Sequence, residues 1–536
     1  MDSEYPPLPS NKAFNAALQN ISLSDGEGNT QVFSGSETPT SMTNERGQGS
    51  PYPSTQVIVD SGDLILQYTS LKRAETTRTR WRVSSESLMQ SSPYFRALLD
   101  PDKFSEGRNL MKQRELHKLD VNPTVSGEVA GFPGDPSSDQ DALPTLRLPD
   151  DHLPPRFGSD TIGIFLKVLS FNSFNEAARE GFDAEIRVQK PSFIAGLIEI
   201  ADAFNSPEAV RECLRRACYT LGKPKLPLTK FTPPMLKLNE SRIRQSIFIA
   251  KFLNDQTVFK MLTHVLIVAG SKFWVNGVEP PAPDTPSWHY FSDGLEEELY
   301  YRRQSVLNTI TDLQAHFLRI YGALEEPTPP SKPGTLPLPN PSLASRQYQC
   351  RCGLGNSRAC DIFHLGQMTR FFSLRTKTIF IGSTLLDPDF NPDNADADAE
   401  AEAGTRPTNI TSVISLLKQC PDYQIDSNHI ACGIRRRFLP ALDCIEGFVG
   451  DERGLLGVNL SYWRREGNGE RGGGESNWPH VQGSWANRDH RRALLVELRL
   501  SRIMGIPLMS PGSSAAEYRE EDARLLFTAK KRNWEA

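Results

Sequence analysis

The sequence predicts an α+β fold in which a small sheet flanked by helices precedes a mainly helical region. The segment GDLILQY at 62–68 has the pattern of a half-buried strand, with Leu64 and Leu66 on the core side. A second strand-like run, WRV, leads directly into a helical pattern. Two longer stretches, at 197–218 and 294–324, carry apolar residues at helical spacing.

The first part of the chain divides into a tail and a candidate domain at 55–222. Residues 1–54 are polar and lack sustained periodicity, which predicts a disordered tail. Within the domain, residues 107–145 are rich in Gly, Pro, Ser and Asp and are predicted to form an inserted loop. The helical pattern at 197–218 is interrupted by Asn-Ser-Pro, which predicts that one helix ends there and another begins.

A mainly helical region is predicted at 235–450, after a Pro-rich linker. Asp255 follows a break in its first helical pattern and is placed to cap the next helix. The apolar stripe of 294–324 fits either a coiled-coil seam or a packed helix, and the packed helix is preferred. A Pro-rich linker at 325–341 and an acidic low-complexity loop at 387–406 interrupt the region.

Residues 451–536 are predicted to form a low-complexity, weakly ordered tail, because the chain becomes Gly-rich from Gly467 and ends in a polar stretch.

The composition of the chain excludes several classes of protein. The 536 residues carry a net charge of −5, so we expect no global basic field and no nucleic-acid partner. No signal peptide or membrane span is expected. Eight cysteines in a chain of this length, without a secretory signal, favour reduced thiols in the cytoplasm or the nucleus.

The segment from the second strand to the next helix resembles a BTB/POZ domain. In that family a hairpin strand leads into a helix whose apolar face ends in Ser-x-x-Phe. The matching residues here are Trp81, Val83, Leu88, Ser92 and Phe95, with Ser84 where the family usually has histidine, and Asp63 where it commonly has aspartate. Over the whole chain the sequence resembles the fungal BTB-domain-containing family, in which a helical region follows the BTB domain. EELYYRR and DLQAHFL at 297–318 carry that part of the resemblance.

The resemblance implies a protein-binding fold and no catalytic activity. In BTB proteins that dock on a cullin scaffold, a hydrophobic residue, any residue and a glutamate follow the central helix. Phe104, Ser105 and Glu106 match this pattern, so Phe104 and Glu106 are the candidate protein-binding residues. In the alternative interpretation, Phe104 closes the domain core and Glu106 is a solvated turn residue.

Cysteines and histidines form the only group in the sequence that suggests metal chemistry. Thiolate and imidazole are ligands that zinc prefers, but no CxxC pair is present. We therefore expect no metal or other cofactor, and partly buried thiols are preferred over a structural zinc ion. The residues considered for zinc are Cys350, Cys352, Cys360, His364, Cys420, His429 and Cys432.

The sequence thus predicts a noncatalytic interaction protein, with a cullin-based ubiquitin ligase as the candidate partner. No nucleophile elbow, HExxH motif, P-loop or dinucleotide fingerprint is evident, so we expect no enzyme. The alternative is a self-assembling scaffold or transcription-associated regulator that binds no ligase. A homodimer is expected because BTB domains commonly self-associate.

Overall fold

The computed structural model describes residues 55–72, 75–120, 143–148, 157–223, 226–274, 277–279, 281–282, 285–323, 349–350, 352, 356–376, 378, 409–430, 432–463, 485, 498–499, 513–529 and 532–534. All of them lie in one compact unit, Pro53–Ala536. The predicted tail 1–54, linker 325–341 and acidic loop 387–406 lie outside the described residues.

A four-stranded sheet lies near the N-terminal end of the described chain, with strand order β1-β3-β2-β4. Its strands are β1 (Thr55–Val57), β2 (Leu64–Lys72), β3 (Glu75–Val83) and β4 (Thr145–Arg147). β2 and β3 form an antiparallel hairpin, while β1 pairs with β3 and β4 pairs with β2 in parallel. The strand prediction at 62–68 is confirmed, because Leu64 and Leu66 of β2 are fully buried.

In the part of the chain that the structure describes, seven α-helices accompany the sheet. They are α1 (Ser85–Ser91), α2 (Pro93–Leu98), α3 (Ser105–Asp120), α4 (Ser159–Leu169), α5 (Glu176–Arg187), α6 (Pro191–Ala203) and α7 (Pro207–Arg216). The predicted helix break is confirmed, since α6 ends before Asn205, whose φ is 46°, and α7 begins at a proline.

Sheet and helices enclose a first core, which includes Leu64, Leu66, Trp81, Val83, Leu88, Phe95, Phe165 and Phe204. The ring of Phe204 stacks on those of Phe95 and Phe165, with centroids 5.4 and 5.3 Å apart. Gly163 lets α4 approach the sheet closely, because a Cβ there would lie 3.2 Å from Trp81 Nε1. Stacked aromatics of this kind bury large apolar areas and define the interior.

The prediction of an inserted loop at 107–145 is wrong for its first residues, because helix α3 extends to Asp120. The composition that predicted a loop belongs mainly to GEVAGFPGDPSSDQD, whereas the stretch before it is rich in Leu, Lys, Arg, Gln and Glu. These residues favour helix formation, and Leu110 anchors α3 in the first core. Residues 121–142 lie outside the described part of the chain.

The remaining described elements are mostly helical. The helices are α8 (Glu240–Leu253), α9 (Gln256–Ala269), α10 (Leu295–Leu318), α11 (Ser357–Arg370), α12 (Ile410–Lys418), α13 (Arg435–Val449), α14 (Leu460–Trp463) and α15 (Ser513–Thr528). Two-residue strands form two further pairs, β5 (Gly222–Lys223) with β6 (Leu226–Pro227) and β7 (Leu498–Arg499) with β8 (Arg532–Asn533). The predicted cap is confirmed, because Asp255 accepts a hydrogen bond from Val258 N at 3.1 Å at the start of α9.

These helices enclose a second core, which includes Ile247, Phe259, Leu266, Leu299, Val306, Leu313, Phe438 and Phe527. The preferred interpretation of 294–324 is confirmed, because Leu299, Val306 and Leu313 of α10 are all fully buried in this core. α8 is shared, since Ile247 belongs to the second core and Ile249 to the first. The proposed division at 222 and 235 is not tested by this arrangement and stays a prediction.

The prediction of a weakly ordered tail at 451–536 is wrong for those of its residues that the structure describes, because several of them pack in the second core. Leu456, Leu460, Phe527 and Trp534 are buried in the second core. Trp485 N donates to Glu298 at 2.9 Å. The prediction relied on the Gly-rich composition and gave no weight to the large apolar side chains, whose burial stabilises this segment.

Among the described residues, the structure has no helix with the length and apolar character needed to cross a membrane.

Candidate functional site

Phe104 projects from a compact turn between α2 and α3. The carbonyl of Asp100 accepts hydrogen bonds from the backbone of Lys103 and Phe104, both at 3.2 Å. Gly107 permits α3 to pack on this turn, because a Cβ at that position would lie 2.7 Å from the Asp100 carbonyl oxygen. The turn is therefore fixed on one side, while the Phe104 side chain remains 46% exposed.

The surface around Phe104 combines apolar and acidic groups, and we call Phe104, Glu106 and Met111 the docking face. Met111 is also exposed and lies seven residues from Phe104, close to two helical turns along the same side of α3. Glu106 accepts a hydrogen bond from Ser105 Oγ at 2.9 Å. Burial, and then the nearby charge of Glu106, raise the pKa of Tyr94. Phe104 is thus a surface residue and does not close the core, while its role in binding stays a prediction.

A polar junction holds the docking face to the sheet. Asp63 accepts hydrogen bonds from the backbone nitrogen and the hydroxyl of Ser85, both at 2.7 Å. Arg114 of α3 pairs with Asp63 and donates to Ser85 Oγ at 2.9 Å. Ser84, at the position where the resemblance expects histidine, caps α1 by accepting from Ser87 N at 3.4 Å. The contribution of Arg114 was missed from sequence because it lies in the segment predicted to be a loop.

A second group of side chains, the cysteine–histidine cluster, consists of Cys350, Cys352, His429 and Cys432. One ligand atom from each residue lies within 4.8 Å of the others. Cys350 and His429 are 79 positions apart in sequence, and the fold brings them together between the start of α11 and the start of α13. The sequence named seven candidate zinc ligands, and the structure places these four in one cluster.

Distances within the cluster are short. Sγ of Cys432 lies 3.3 Å from Sγ of Cys352 and 3.7 Å from Sγ of Cys350. Nδ1 of His429 lies 3.3 Å from the Cys350 sulfur and 3.9 Å from the Cys432 sulfur. All three cysteines are free thiols, because a disulfide requires a sulfur–sulfur distance of about 2.05 Å.

The thiols of the cluster differ in acidity. Burial opposes ionisation of Cys350, but hydrogen bonds from the Cys352 backbone, Ser357 and the neighbouring thiols outweigh it and lower its pKa to about 7. The hydrogen bond to Cys432, burial and the charge of its neighbours raise the pKa of Cys352 to about 12. Ionisation of Cys350 therefore opposes ionisation of Cys352, since like charges at this separation repel.

The other candidate ligands lie outside the four-residue set. Cys360 packs beside Cys350 and Cys432, and burial raises its pKa. The Sγ of Cys420 lies 3.7 Å from the Pro421 carbonyl oxygen and belongs to the second core. His364 is buried against Tyr321, with ring centroids 5.8 Å apart, and burial lowers its pKa.

Neither a protein-family model, nor a curated protein, nor a solved structure matches this chain. Its function is therefore inferred from the fold, the docking face and the cysteine–histidine cluster.

Proposed function

We propose that this chain is a noncatalytic interaction protein that uses a BTB-like N-terminal domain to present a client to a cullin-based ubiquitin ligase. The observation that carries the proposal is the exposure of Phe104 on a fixed turn, beside the carboxylate of Glu106. An exposed aromatic side chain can fill an apolar pocket on a partner, and an adjacent carboxylate orients the contact.

The packing of the N-terminal elements supports the BTB part of the proposal. Hairpin β2–β3 runs directly into α1, as the sequence resemblance implies. Trp81, Val83, Leu88 and Phe95, which carry that resemblance, are all fully buried in the first core. These four side chains help to form the first core, where close packing limits which side chains fit. The resemblance therefore rests on residues that contribute to the fold.

The helical region is the candidate client-binding part in this proposal. It packs on the BTB-like elements through α8, whose Ile249 enters the first core. A client bound to the helical region would therefore be held at a fixed position relative to the docking face. A geometry of this kind is what an adaptor requires, because binding two partners with a defined separation raises their effective concentration.

Binding of the full-length chain to a purified cullin N-terminal domain tests the proposal. In isothermal titration calorimetry, the Phe104→Ala and Glu106→Lys variants should bind the cullin domain at least about tenfold more weakly than the wild type does. A loss of that size is typical of a binding hot spot. Val188→Ala is the matched control, because Val188 is 79% exposed and caps the C-terminal end of α5, outside the docking face. No binding by the wild type, or unchanged binding by folded Phe104→Ala, would rule out this docking mode.

A self-assembling scaffold is the second candidate, and the position of β1 favours it. β1 is an edge strand of the sheet, and its Val57 is 46% exposed. Edge strands present unpaired backbone groups that can pair with another chain. Light scattering on the full-length chain should then report a dimer that Val57→Lys converts to a monomer. A monomeric wild type would exclude this candidate.

A further inference from the structure

We propose that Cys350, Cys352, His429 and Cys432 bind one zinc ion in a closed structural site. In a tetrahedral zinc site, zinc–sulfur bonds of about 2.3 Å place neighbouring sulfurs about 3.8 Å apart. The corresponding sulfur–nitrogen separation is about 3.5 Å when the zinc–nitrogen bond is about 2.0–2.1 Å. In this cluster two sulfur–sulfur distances are 3.3 and 3.7 Å, and two sulfur–nitrogen distances are 3.3 and 3.9 Å. All four ligand atoms lie within 4.8 Å of one another, which is compatible with a single bound ion.

The orientation of His429 is the second observation that points to a metal. Its Nδ1 faces the sulfurs, while Nε2 lies 3.0 Å from the Oδ1 of Asn356. An amide oxygen accepts, so this contact assigns the proton to Nε2 and leaves the lone pair of Nδ1 directed at the cluster. A ligating histidine has this tautomer, and a hydrogen bond from its other nitrogen commonly fixes it.

Backbone hydrogen bonds help to hold the proposed ligands in place around the zinc position. Asp361 accepts hydrogen bonds from the backbone nitrogens of Gln349 and Cys350, at 2.9 and 3.0 Å. The backbone nitrogen of Cys432 approaches the His429 carbonyl oxygen at 3.4 Å. His429 is fully buried, and Cys350 and Cys432 are each 6% exposed. Cys352 is only partly buried. Three cysteines and one histidine form a ligand set that zinc prefers.

A disulfide accounts for the cluster less well. A disulfide between Cys352 and Cys432 would engage only two of the three thiols and would leave Cys350 hydrogen-bonded to Nδ1 of His429. Zinc engages all four groups. Four protein ligands leave no open coordination position, so the site is assigned a structural role.

The position of the cluster shows what the ion would stabilise. Tyr321 donates through its hydroxyl to the Cys432 carbonyl at 2.7 Å, and Tyr321 packs in the second core. Arg437 donates to Gln349 Oε1 at 2.6 Å and to the Tyr321 hydroxyl at 3.0 Å. Zinc would therefore join the chain before α11 to the chain before α13 and attach both to the second core.

Metal analysis of the full-length, untagged, reduced protein tests the proposal. Mass spectrometry of the dissolved metals should find about one zinc ion per wild-type chain. Cys432→Ser and His429→Ala should lose most of it. Cys444→Ser is the matched control, because Cys444 lies on α13 outside the cluster. This variant should retain the zinc ion. His429→Cys, which exchanges one zinc ligand for another, should also retain it.

Cobalt titration keeps the test decisive if a variant fails to fold. Reduced, zinc-free wild type should develop the visible absorption of tetrahedral cobalt bound to thiolates, and zinc should abolish it. Absence of this absorption together with absence of zinc would overturn the proposal. So would unchanged zinc content in folded Cys432→Ser and His429→Ala, or a Cys352–Cys432 disulfide in protein that binds no metal.

Discussion

At the scale of single residues, the guanidinium of Arg244 is fully buried and lies between two carboxylates. It donates to Glu240 at 2.8 Å and, through two nitrogens, to Glu296 at 2.7 and 3.0 Å. Trp274 Nε1 also donates to Glu296, at 2.6 Å. A buried charge network of this kind is satisfied only when every member is present.

Arg244→Ala should therefore lower the free energy of unfolding by about 3–5 kcal/mol, because it leaves two carboxylates buried without their cation. Urea denaturation of the full-length chain measures the change. Arg524→Ala is the comparison, since the pair between Arg524 and Glu521 is partly exposed and should contribute only about 0–1 kcal/mol. Equal losses in the two variants would contradict this account.

His264 should make stability depend on pH. Its Nε2 lies 3.0 Å from the Val449 carbonyl oxygen, and its Nδ1 accepts from Leu456 N at 3.3 Å, so the neutral ring is fully bonded. Burial lowers its pKa from 6.5 to about 4. Between these values the unfolded state binds more protons, so the contribution of His264 is complete above pH 6.5 and is lost as pH falls towards 4.

Denaturation of wild type and His264→Gln between pH 7.5 and 4 measures this contribution. The variant should lose stability less steeply over the range, because it removes the group that titrates while an amide can still donate to Val449. Parallel curves for the two proteins would show that His264 does not cause the dependence.

Residue-scale features differ in how far sequence predicts them. The Asp255 cap follows from local spacing, because donor and acceptor are three residues apart. Arg244 and Glu296 are 52 positions apart, and Cys350 and His429 of the cysteine–histidine cluster are 79 positions apart. Composition identifies candidate partners at such distances, but only the fold selects Cys350, Cys352, His429 and Cys432 from seven candidates.

At the scale of elements, the chain after α13 crosses α9 at very close range. A Cβ on Gly457 would lie 2.0 Å from the Lys260 carbonyl oxygen. Arg302 donates to the Gly457 carbonyl at 2.7 Å, and Val458 N donates to Thr263 Oγ1 at 3.0 Å. Glycine is required here by the close approach of two backbones.

Gly457→Ala should destabilise the protein by about 1–3 kcal/mol, since backbone atoms must move to admit the methyl group. Gly447→Ala supplies the opposite case, because Gly447 is an exposed residue of α13 and its added Cβ would meet no atom within 4 Å. That variant should gain about 0.5–1 kcal/mol, the ordinary advantage of alanine in a helix. Thermal unfolding of both variants should shift in opposite directions, and a matching decrease would contradict the argument.

Sequence patterns predicted the elements best where periodicity was strong. α10 and the break between α6 and α7 followed from apolar spacing and proline. α3 was missed because a Gly- and Pro-rich stretch further along dominated the composition of its segment. The packed residues beyond 451 were missed for a related reason, since isolated large apolar side chains such as Trp485 give no period.

At the scale of the whole molecule, α8 joins the two cores. Ile247 and Ile249 are both fully buried, but they lie in different cores. The Pro-rich linker predicted before 235 also contributes to the second core, since Leu228 and Phe231 are buried there. A domain boundary read from proline content could not reveal this coupling, because it depends on which faces of one helix are covered.

Ile249→Ala in the full-length chain should therefore weaken both cores, although the side chain contacts only the first. The truncation should cost about 2–5 kcal/mol, the usual range for a buried isoleucine. Because α8 cannot leave one core and keep its place in the other, hydrogen exchange should accelerate together in α6 and in α9. Val188→Ala, at an exposed site, should leave both unchanged. Faster exchange confined to α6 would show that the two cores unfold independently, and the division near 222 would then be a true domain boundary.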